Sequence, residues 1–461
     1  MTNNICWLRR DLRLHDHASL SNALSSGPTI LVFVFDAYIL DKLKNKSDRR
    51  VTFIYQSLEA MEKELNKKGS SLVVRYGKPE EELLKVCQEF KIQKVYANRD
   101  YEPYAKKRDE LVAKSLKASG VDFEMFKDSV YFEKHEVLTG SNTIYKVFTP
   151  YKNKWLEKFE SSGKTISNFD CKLKNLQPFT NKKSILTFDW YKEIGFEETP
   201  PLLTGGTIEA LKRLKLFHKV IHDYKEGRNY PGLDGTSLIS VYIRFGNISI
   251  RDLIRASLEE KHEGSTTWLS ELIWRDFYQV ILDEFPEIEH KAFKPQYDKI
   301  KFLGSEAHFK AWCEGQTGFP IVDAAMRCLN QTGIMHNRLR MIVASFLCKI
   351  LLVDWRWGEH YFAEHLLDYD LAANNGGWQW SSSSGCDAQP YFRIFNPYSQ
   401  SEKFDKDGEF IKKWVPELKT ATKKDIHTPD PLKFSPYPAP IVSYEKNRVR
   451  CLEMYSVVKA T

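Results

Sequence analysis

Asn374-Asn375-Gly376-Gly377-Trp378-Gln379-Trp380 brings two asparagines, two glycines and two indoles together within seven residues. The chain has only 11 Trp in 461 residues, so two of them within three positions is unusual. Asparagine is a poor helix former, and glycine lets the backbone approach a flat ligand closely. The stretch is typical of a pocket for a planar aromatic ligand with polar edges, such as a flavin or a flipped-out base. A helix terminus whose Trp residues fill the core is an equally open alternative.

The composition predicts a soluble globular protein of two or three domains. It is 42% hydrophobic and 13% aromatic, and 68 basic against 61 acidic residues give a net charge of +7. This charge is compatible with a polyanionic partner but does not require one. No apolar run approaches the ~20 residues that span a bilayer. The polar start of the chain does not resemble a signal peptide, so no membrane association is expected.

The eight cysteines are dispersed, with no CxxC pair and no zinc-type spacing to histidine. They indicate free thiols in a reducing cytoplasmic compartment, and they predict no metal site.

Apolar, β-rich runs alternate with helical patterns over residues 1–132, which predicts an α/β domain with a parallel, Rossmann-like sheet. No GxGxxG follows the first run, so a dinucleotide fingerprint is absent there. The expected strands are Ile5–Leu8, Thr29–Phe35, Ser71–Arg75, Lys94–Ala97 and Phe123–Phe126, and the expected helices are Arg49–Lys68, Pro79–Phe90 and Tyr104–Ser119.

Residues 133–199 are mixed and polar and are expected to form an interdomain connector. From residue 200 to 461 the apolar period becomes 3.6, which predicts an all-α domain. Its expected helices are Thr207–Lys225, Ile250–Glu259, Thr267–Asp283, Ile321–Asn330, Asn337–Leu352 and Glu359–Leu367.

Two segments of the helical region carry residues suited to binding. Asp234–Ser240 has a glycine and several hydroxyls that suit a diphosphate, although an N-cap before the next helix is the simpler explanation. On the next long helix one side is shared by Trp268, Glu271, Arg275 and Tyr278, with Trp274 beside Glu271. A surface Glu–Arg pair beside core indoles is the alternative there.

Met335–Met341 places Asn337, Arg338 and Met341 on adjacent helical positions. Two arginines near an asparagine could bind phosphate bidentately or hold a cofactor, although a charged helix start is the ordinary alternative. His336 has no metal-ligand partner at a suitable spacing and is expected to be a hydrogen-bonded histidine. Four indoles within 26 residues could relay electrons or simply fill the core: those of Trp355, Trp357, Trp378 and Trp380.

These segments, in this order, resemble the photolyase/cryptochrome family, from Trp7-Leu8-Arg9-Arg10-Asp11-Leu12-Arg13-Leu14 to Phe392-Arg393-Ile394-Phe395-Asn396-Pro397. Gly315–Arg327 and the Asn374–Trp380 stretch are its most specific motifs. Within the family the chain is similar to microbial, class I photolyases that act on cyclobutane pyrimidine dimers, which are deoxyribodipyrimidine photo-lyases.

The resemblance implies an all-α FAD-binding domain that is active with reduced FAD. Asn374 would lie beside the flavin nitrogen that is protonated on reduction. Trp378 and Trp355 would carry electrons to the flavin. The further FAD-binding positions would be Tyr224, Thr236, Ser237, Leu238, Ile239, Ser240, Trp268, Arg275, Asp368 and Asp370.

The resemblance also implies damaged DNA as the partner of a monomeric enzyme. A flipped-out dimer would receive an electron from photoexcited reduced FAD, and Glu271, protonated or strongly hydrogen-bonded, would stabilise the charge on a pyrimidine carbonyl. The lesion and DNA positions would be Glu271, Trp274, Asn337, Arg338, Met341, Trp380, Arg393 and Gln400. A light-sensing cryptochrome without repair activity is the alternative function, and a flavin-binding scaffold that has lost catalysis is a third.

Two departures from the family pattern stand out. The outer position of the usual three-Trp electron chain falls on Phe302, which is much harder to oxidise, so we expect slowed or rerouted photoreduction with Trp357 or Tyr297 as substitutes. Trp357 lies two residues from Trp355, nearly on the opposite helix face, which argues mildly against it. Tyr104, Ala105 and Glu289 occupy the positions of a folate antenna and do not resemble folate ligands. A deazaflavin or flavin antenna, or none, is therefore expected.

Overall fold

The computed structural model describes residues 3–459. Its N-terminal part contains a five-stranded parallel sheet in the order β3-β2-β1-β4-β5. The strands are β1 (Asn3–Leu8), β2 (Thr29–Asp36), β3 (Leu72–Gly77), β4 (Ile92–Asn98) and β5 (Asp122–Phe126). Ile5 of β1 pairs with Ile30 of β2 on one side and with Val95 of β4 on the other. The predicted parallel sheet is confirmed.

Helices cover both faces of this sheet. Alternate residues of β1 serve different cores: Ile5 and Trp7 belong to one apolar cluster, and Cys6 and Leu8 to the other. This period of two is the reason that the strand is apolar throughout. The flanking helices are α1 (Ala18–Ser26), α2 (Ala37–Leu40), α3 (Arg49–Asn66), α4 (Pro79–Phe90) and α5 (Pro103–Ala118).

The rest of the chain is helical. Its α-helices are α6 (Phe148–Ser161), α7 (Trp190–Ile194), α8 (Thr207–His218), α9 (Tyr224–Gly227), α10 (Ser240–Arg244), α11 (Ile250–Leu258), α12 (Glu263–Glu284), α13 (Glu306–Glu314), α14 (Pro320–Thr332), α15 (Asn337–Lys349), α16 (Trp355–His365), α17 (Leu371–Ser381), α18 (Pro397–Phe404), α19 (Glu409–Trp414) and α20 (Tyr444–Tyr455). Short 3-10 turns lie at Leu173–Asn175, Ile221–Asp223, Pro286–Glu289, Pro295–Lys299, Pro416–Leu418 and Ser456–Lys459.

One helix prediction is wrong. The expected continuous helix Thr207–Lys225 ends at His218, and a 3-10 turn over Ile221–Asp223 leads into α9. The start of α12 packs directly on that turn, since a Cβ added to Gly264 would lie 1.9 Å from the Ile221 carbonyl oxygen. The chain therefore bends at the 3-10 turn, where its backbone contacts the backbone of α12.

The segment expected to be a polar connector contains a complete amphipathic helix, α6. Trp155 and Phe159 of α6 are buried, and Trp155 Nε1 donates to Asp276 Oδ2 of α12 at 3.1 Å. Backbone amides of Tyr131 and Phe132 donate to the same carboxylate. These hydrogen bonds attach α6 and the residues before it to α12. The predicted boundaries 1–132, 133–199 and 200–461 stay predictions.

Buried ion pairs join the N-terminal part to the helical part. Arg251 of α11 donates to Asp16 Oδ1 at 3.0 Å and to Asp128 Oδ1 at 2.8 Å, and Arg13 donates to Asp128 Oδ2 at 2.7 Å. All four side chains are nearly inaccessible to solvent. The junction is therefore ionic and dry, and we refer to these four residues as the ionic seam.

None of the helices within residues 3–459 has the length and apolarity to cross a membrane. The same part of the chain contains no cluster of His, Cys, Asp or Glu arranged to hold a metal ion. The eight cysteines are free thiols.

Candidate active site

The stretch Asn374–Trp380 lies inside helix α17 and is helical despite its two glycines. Asp370 caps the helix by accepting from Ala373 N at 3.1 Å. Gly376 is required because Tyr278 of α12 packs against it: an added Cβ would lie 2.4 Å from the Tyr278 ring. Two helices thus meet at the middle of the stretch, closer than any side chain would permit.

Asn374 faces inward and is 8% exposed. Its Nδ2 donates to the backbone oxygen of Glu359 at 3.1 Å and to Glu359 Oε1 at 2.9 Å. Burial raises the pKa of the Glu359 carboxyl to about 7, against the lowering effect of the Asn374 hydrogen bond. The Asn374 amide is therefore hydrogen-bonded to the Glu359 carboxyl, whose pKa lies near neutral pH. The sequence prediction did not include Glu359.

Trp378 lies against the backbone of α16. A Cβ added to Gly358 would lie 2.1 Å from Trp378 Cη2, so only glycine accommodates the indole there. The indole ring makes edge-on contacts with Phe362 at 5.0 Å and with Trp312 at 6.0 Å between ring centroids. Trp378 Nε1 is buried without a hydrogen-bond partner among the described residues.

The inward face of α12 carries Glu271 and Trp274. Glu271 Oε1 accepts from Arg228 Nη1 at 2.5 Å, so its ion-pair partner is not the Arg275 considered from the sequence. Arg275 instead donates to the backbone oxygen of Ser129. Sequence reasoning did not identify Arg228. It lies 43 residues before Glu271 in the chain, directly after α9, and no local pattern predicts a contact over that separation.

Aromatic side chains surround this ion pair. Tyr224, which begins α9, has the Arg228 guanidinium 5.4 Å from its ring centroid. Trp268 is buried with its ring 5.0 Å from Phe217. Trp274 stacks on Phe148 of α6, with 3.6 Å between centroids and 9° between planes. The ion pair therefore lies in a predominantly aromatic environment.

Arg338, at the start of α15, lies close to this pair. Its Nη2 donates to Asn229 Oδ1 at 2.6 Å, its Nη1 lies 3.8 Å from Met341 Sδ, and its guanidinium lies 4.4 Å from the Phe404 ring centroid. Burial and the charge of Arg228 lower the pKa of Arg338. Two cations thus face one region, which favours an anionic occupant.

His336 caps α15: its Nδ1 accepts from Arg338 N at 3.1 Å. Burial, followed by the neighbouring arginines, lowers its pKa to about 4, so it is neutral at pH 7. The hydrogen-bonded role expected for this histidine is confirmed.

The two aspartates before α17 bind different arginines. Asp368 accepts from Arg340 Nη2 with both oxygens at 2.9 Å. Asp370 accepts from Arg10 Nη2 at 2.5 Å and from Gln279 Nε2 at 2.9 and 3.0 Å. The N-cap residue of α17 is therefore fixed to the N-terminal part of the chain.

The segment Thr236–Ser240 precedes α10. Arg213 holds it by donating to the backbone oxygens of Ser237 and Thr236, both at 2.8 Å. Leu238 has a positive φ of 52°, and Ile239 at the cap position provides no side-chain cap. The simpler N-cap explanation therefore does not hold for this segment.

Several buried polar atoms around these elements lack a partner among the described residues: Arg244 Nη1, Gln279 Oε1, His336 Nε2 and Arg338 Nε. An unsatisfied buried polar atom costs roughly 1–3 kcal/mol. Gln279 also contacts Asp370, and Arg244 donates to the backbone oxygen of Tyr369 just before α17. A polar ligand with hydrogen-bonding edges fits this donor and acceptor set.

The remaining predicted DNA positions are accessible. Asn337 and Arg393 are exposed, and Trp380 and Gln400 are partly exposed. The Arg393 carbonyl accepts from Lys349 Nζ at 3.1 Å. These side chains belong to the starts or ends of α15, α17 and α18 and to the loop between the last two.

The positions considered for electron transfer and for an antenna lie in separate places. Trp355 is buried with the Arg356 guanidinium 4.7 Å from its ring centroid, and Phe302 is partly buried. Tyr104 donates its hydroxyl proton to Asp36 Oδ2 at 2.6 Å at the carboxyl end of β2. In parallel α/β sheets, ligands bind at this end of the strands.

Comparison with known proteins extends over nearly the whole chain. Residues 4–170 match the DNA photolyase family model, and residues 268–457 match the FAD binding domain of DNA photolyase. A deoxyribodipyrimidine photo-lyase from Vibrio cholerae is 38% identical over 99% of this chain and 99% of its own length.

Two solved structures share the fold. A bacterial class III photolyase from Agrobacterium tumefaciens superposes with a TM-score of 0.90 at 34% identity, covering 100% of this chain and 98% of that one. An archaeal photolyase from Sulfolobus tokodaii, solved with two FAD molecules, gives a TM-score of 0.82 at 34% identity over 99% and 100%.

Proposed function

Because the chain belongs to the DNA photolyase family, we propose that it repairs cyclobutane pyrimidine dimers in DNA with light, as a deoxyribodipyrimidine photo-lyase. Its helical domain binds FAD. The observation that carries the assignment is the ion pair of Arg228 with Glu271 of α12, with buried polar atoms of Arg338 and His336 nearby that lack partners among the described residues.

We assign the flavin to the space bounded by α12, α17 and the segment Thr236–Ser240. Reduced FAD, when bound, supplies the electron that opens the cyclobutane ring and receives it back. Asn374, held by Glu359, presents an amide to the flavin edge that gains a proton. Asp368 and Arg340 neutralise one another beside it, so the pocket gains no net charge from that pair.

We assign the lesion to the region in front of Glu271 and Trp274. A dimer is flipped out of the duplex more readily than a normal pair because its stacking is already weakened. Trp274 and Trp380 provide apolar surfaces for the flipped bases. The 2.5 Å bond from Arg228 fixes the Glu271 carboxylate, and Arg228 itself places positive charge where negative charge develops on a pyrimidine carbonyl.

Two arginines and an asparagine near the accessible face position the DNA backbone. Arg338, Arg393 and Asn337 are suited to phosphate oxygens, and contacts of this kind give salt-dependent affinity that is largely independent of sequence. A monomeric state and a cytoplasmic location stay predictions from the sequence.

We further propose that the N-terminal domain holds a second chromophore of the flavin type. The Sulfolobus tokodaii relative was solved with two FAD molecules, and Tyr104 and Asp36 lie at the end of the sheet where such a ligand would bind. Absorbance of the purified, denatured protein measures how many flavins accompany each chain.

The central experiment is illumination of a thymine-dimer oligonucleotide with protein whose FAD has been chemically reduced. Recovery of thymine absorbance under light, and none in the dark, is expected. Glu271→Ala should lose repair while retaining FAD. Glu263→Ala is the matched control, since Glu263 is an exposed residue of the same helix paired with Lys225. Wild-type protein that carries reduced FAD but leaves the dimer intact would contradict the proposal.

A further inference from the structure

A continuous path of aromatic rings leads from Trp378 to the protein surface without passing through Trp355. The Trp378 and Trp312 ring centroids are 6.0 Å apart. Trp312 stacks on Phe309 at 5.9 Å with 18° between planes, and Phe309 contacts Trp357 edge-on at 5.3 Å. Trp357 is 40% exposed, whereas Trp312 is fully buried. Trp312 is in direct contact with Trp378, whereas the single ring of Phe309, which is not readily oxidised, lies between Trp312 and Trp357. Each hop between indoles therefore crosses at most one aromatic ring.

A second contact joins the same two ends. Trp378 packs directly on Gly358, the residue that follows Trp357 in α16. The Trp378 indole therefore also contacts the backbone directly after Trp357.

Trp355 is less well placed to donate to Trp378. Among the described residues, Trp378 has ring contacts with Trp312 and Phe362 and none with Trp355. The Arg356 guanidinium lies 4.7 Å from the Trp355 ring and opposes a positive charge there, although Asp354 and Asp298 pair with Arg356 and offset part of this effect. Phe302, at the family's outer position, is not readily oxidised, and the ring of Tyr297 contacts Tyr455 at 6.2 Å.

The surroundings of the three indoles become more favourable to positive charge toward the surface. Trp378 Nε1 has no acceptor among the described residues. Trp312 Nε1 donates to the Val343 carbonyl oxygen at 3.2 Å, and this dipole stabilises an oxidised indole. Trp357 is exposed to solvent, where water solvates the charge and accepts the indole proton. The positive charge left when Trp378 is oxidised is therefore more stable at Trp312, and most stable at Trp357.

We propose that electrons reach the flavin through the chain Trp357–Trp312–Trp378. The inference rests on the proposed function, because it requires FAD beside Trp378. With oxidised FAD bound and excited by light, Trp378 would give up one electron to it, Trp312 would then refill Trp378, and Trp357 would refill Trp312. The oxidised Trp357 indole releases its N–H proton to water, and a soluble thiol then returns one electron and one proton while being oxidised to a thiyl radical. Each cycle delivers one electron.

Tyr361 also contacts Trp312, at 5.6 Å, but it is not the terminal donor. Its hydroxyl donates to Asn330 Oδ1 at 2.7 Å and to the Cys313 carbonyl oxygen at 3.1 Å. A tyrosine must release its proton when it is oxidised, and amide oxygens do not take up that proton. Tyr361→Phe thus removes a neighbour of Trp312 without removing the proposed donor.

The test compares Trp357→Phe, Trp312→Phe, Trp355→Phe and Tyr361→Phe, each reconstituted with oxidised FAD and illuminated with a thiol. Flavin absorbance gives the photoreduction yield, and transient absorption identifies the radical. We expect Trp357→Phe and Trp312→Phe to lose most of the yield, Trp355→Phe to lose little, and Tyr361→Phe none. The long-lived radical of the wild type should be a deprotonated tryptophanyl radical that is absent from Trp357→Phe.

Wild-type photoreduction in Trp357→Phe, or its abolition in Trp355→Phe alone, would overturn the route. Because Trp357 is exposed, its replacement decides the question even if Trp312→Phe does not fold. Repair by chemically reduced protein is measured in parallel: if repair survives in every variant, the flavin site is intact, and a negative photoreduction result bears on the route alone.

Discussion

Glu359 is a partly buried residue whose carboxyl holds the inner amide of the site. It accepts from Asn374, and burial raises its pKa to about 7. A carboxyl that titrates in this range introduces a negative charge beside Asn374 only as the pH rises above neutrality. The proton occupancy of one side chain thereby sets the local charge next to the proposed flavin edge.

This shift predicts a pH-dependent stability. The folded pKa of Glu359, about 7, exceeds the ordinary value of 4.5, so its stabilising contribution is complete below about pH 4.5 and is lost as the pH rises through about 7. The loss is on the order of 3 kcal/mol. Glu359→Gln keeps an oxygen acceptor for Asn374 and stays neutral. Its melting temperature should match that of the wild type near pH 5 and exceed it progressively toward pH 8.

Glu364→Gln serves as the comparison, since Glu364 lies on the same helix with its side chain 45% exposed and paired with His360. The melting temperature of Glu364→Gln should differ from that of the wild type by the same amount at every pH. Parallel curves for Glu359→Gln as well would show that Glu359 is ionised at all these pH values.

At the scale of secondary-structure elements, Lys349 ties the end of α15 to the loop that carries Arg393. Its buried Nζ donates to Ser383 Oγ at 3.0 Å and to the Arg393 carbonyl oxygen at 3.1 Å. Burial lowers its pKa to about 8. A lysine buried beside neutral acceptors is costly to maintain, and here it fixes the course of the segment between α17 and α18.

Lys349→Met should release that loop and weaken DNA binding about tenfold, which corresponds to roughly 1.4 kcal/mol. The dependence of affinity on salt concentration should not change, because the buried Lys349 does not reach phosphate. Arg393→Ala is the matched variant and should lower the salt slope by about one. Fluorescence anisotropy of a dimer-containing duplex over a salt series measures both. A reduced salt slope in Lys349→Met would contradict this role.

The elements themselves were largely predictable from the sequence, and their contacts were not. The predicted bounds of the helix Pro79–Phe90 agree with the structure, because an N-terminal proline and an apolar period define its two ends. Helix α6 was missed within a polar segment, since its buried face is only Phe148, Tyr151, Trp155 and Phe159. The resemblance pointed to Glu271 and Asn374, but Arg228, Glu359 and Trp312 reach them through tertiary packing that no periodicity encodes.

At the scale of the whole molecule, the ionic seam decides whether the two parts unfold together. Arg251 contacts both Asp16 and Asp128, and removing a guanidinium from between two buried carboxylates leaves uncompensated charge. The penalty for breaking a buried pair is about 3–5 kcal/mol.

Arg251→Met should therefore lower the free energy of unfolding by about this amount and separate denaturation into two transitions. Arg255→Met is the control: Arg255 also pairs with Asp16, but its side chain is 33% exposed, so a loss of about 0–1 kcal/mol is expected. Urea titration followed by far-UV circular dichroism and flavin fluorescence distinguishes the two outcomes. A single transition with equal losses in both variants would show that the seam is not decisive.

The contact of Arg10 with Asp370 has an optical consequence. Arg10 follows the first strand, and Asp370 is the N-cap of α17, the helix of Asn374 and Trp378. Excitation passes between two pigments at a rate that depends on their separation and on the angle between their transition dipoles. A light-collecting pigment on the sheet and a flavin beside α17 would be held at one distance and one angle by this pair, so the yield of energy transfer would be set by the fold instead of being averaged over domain motion.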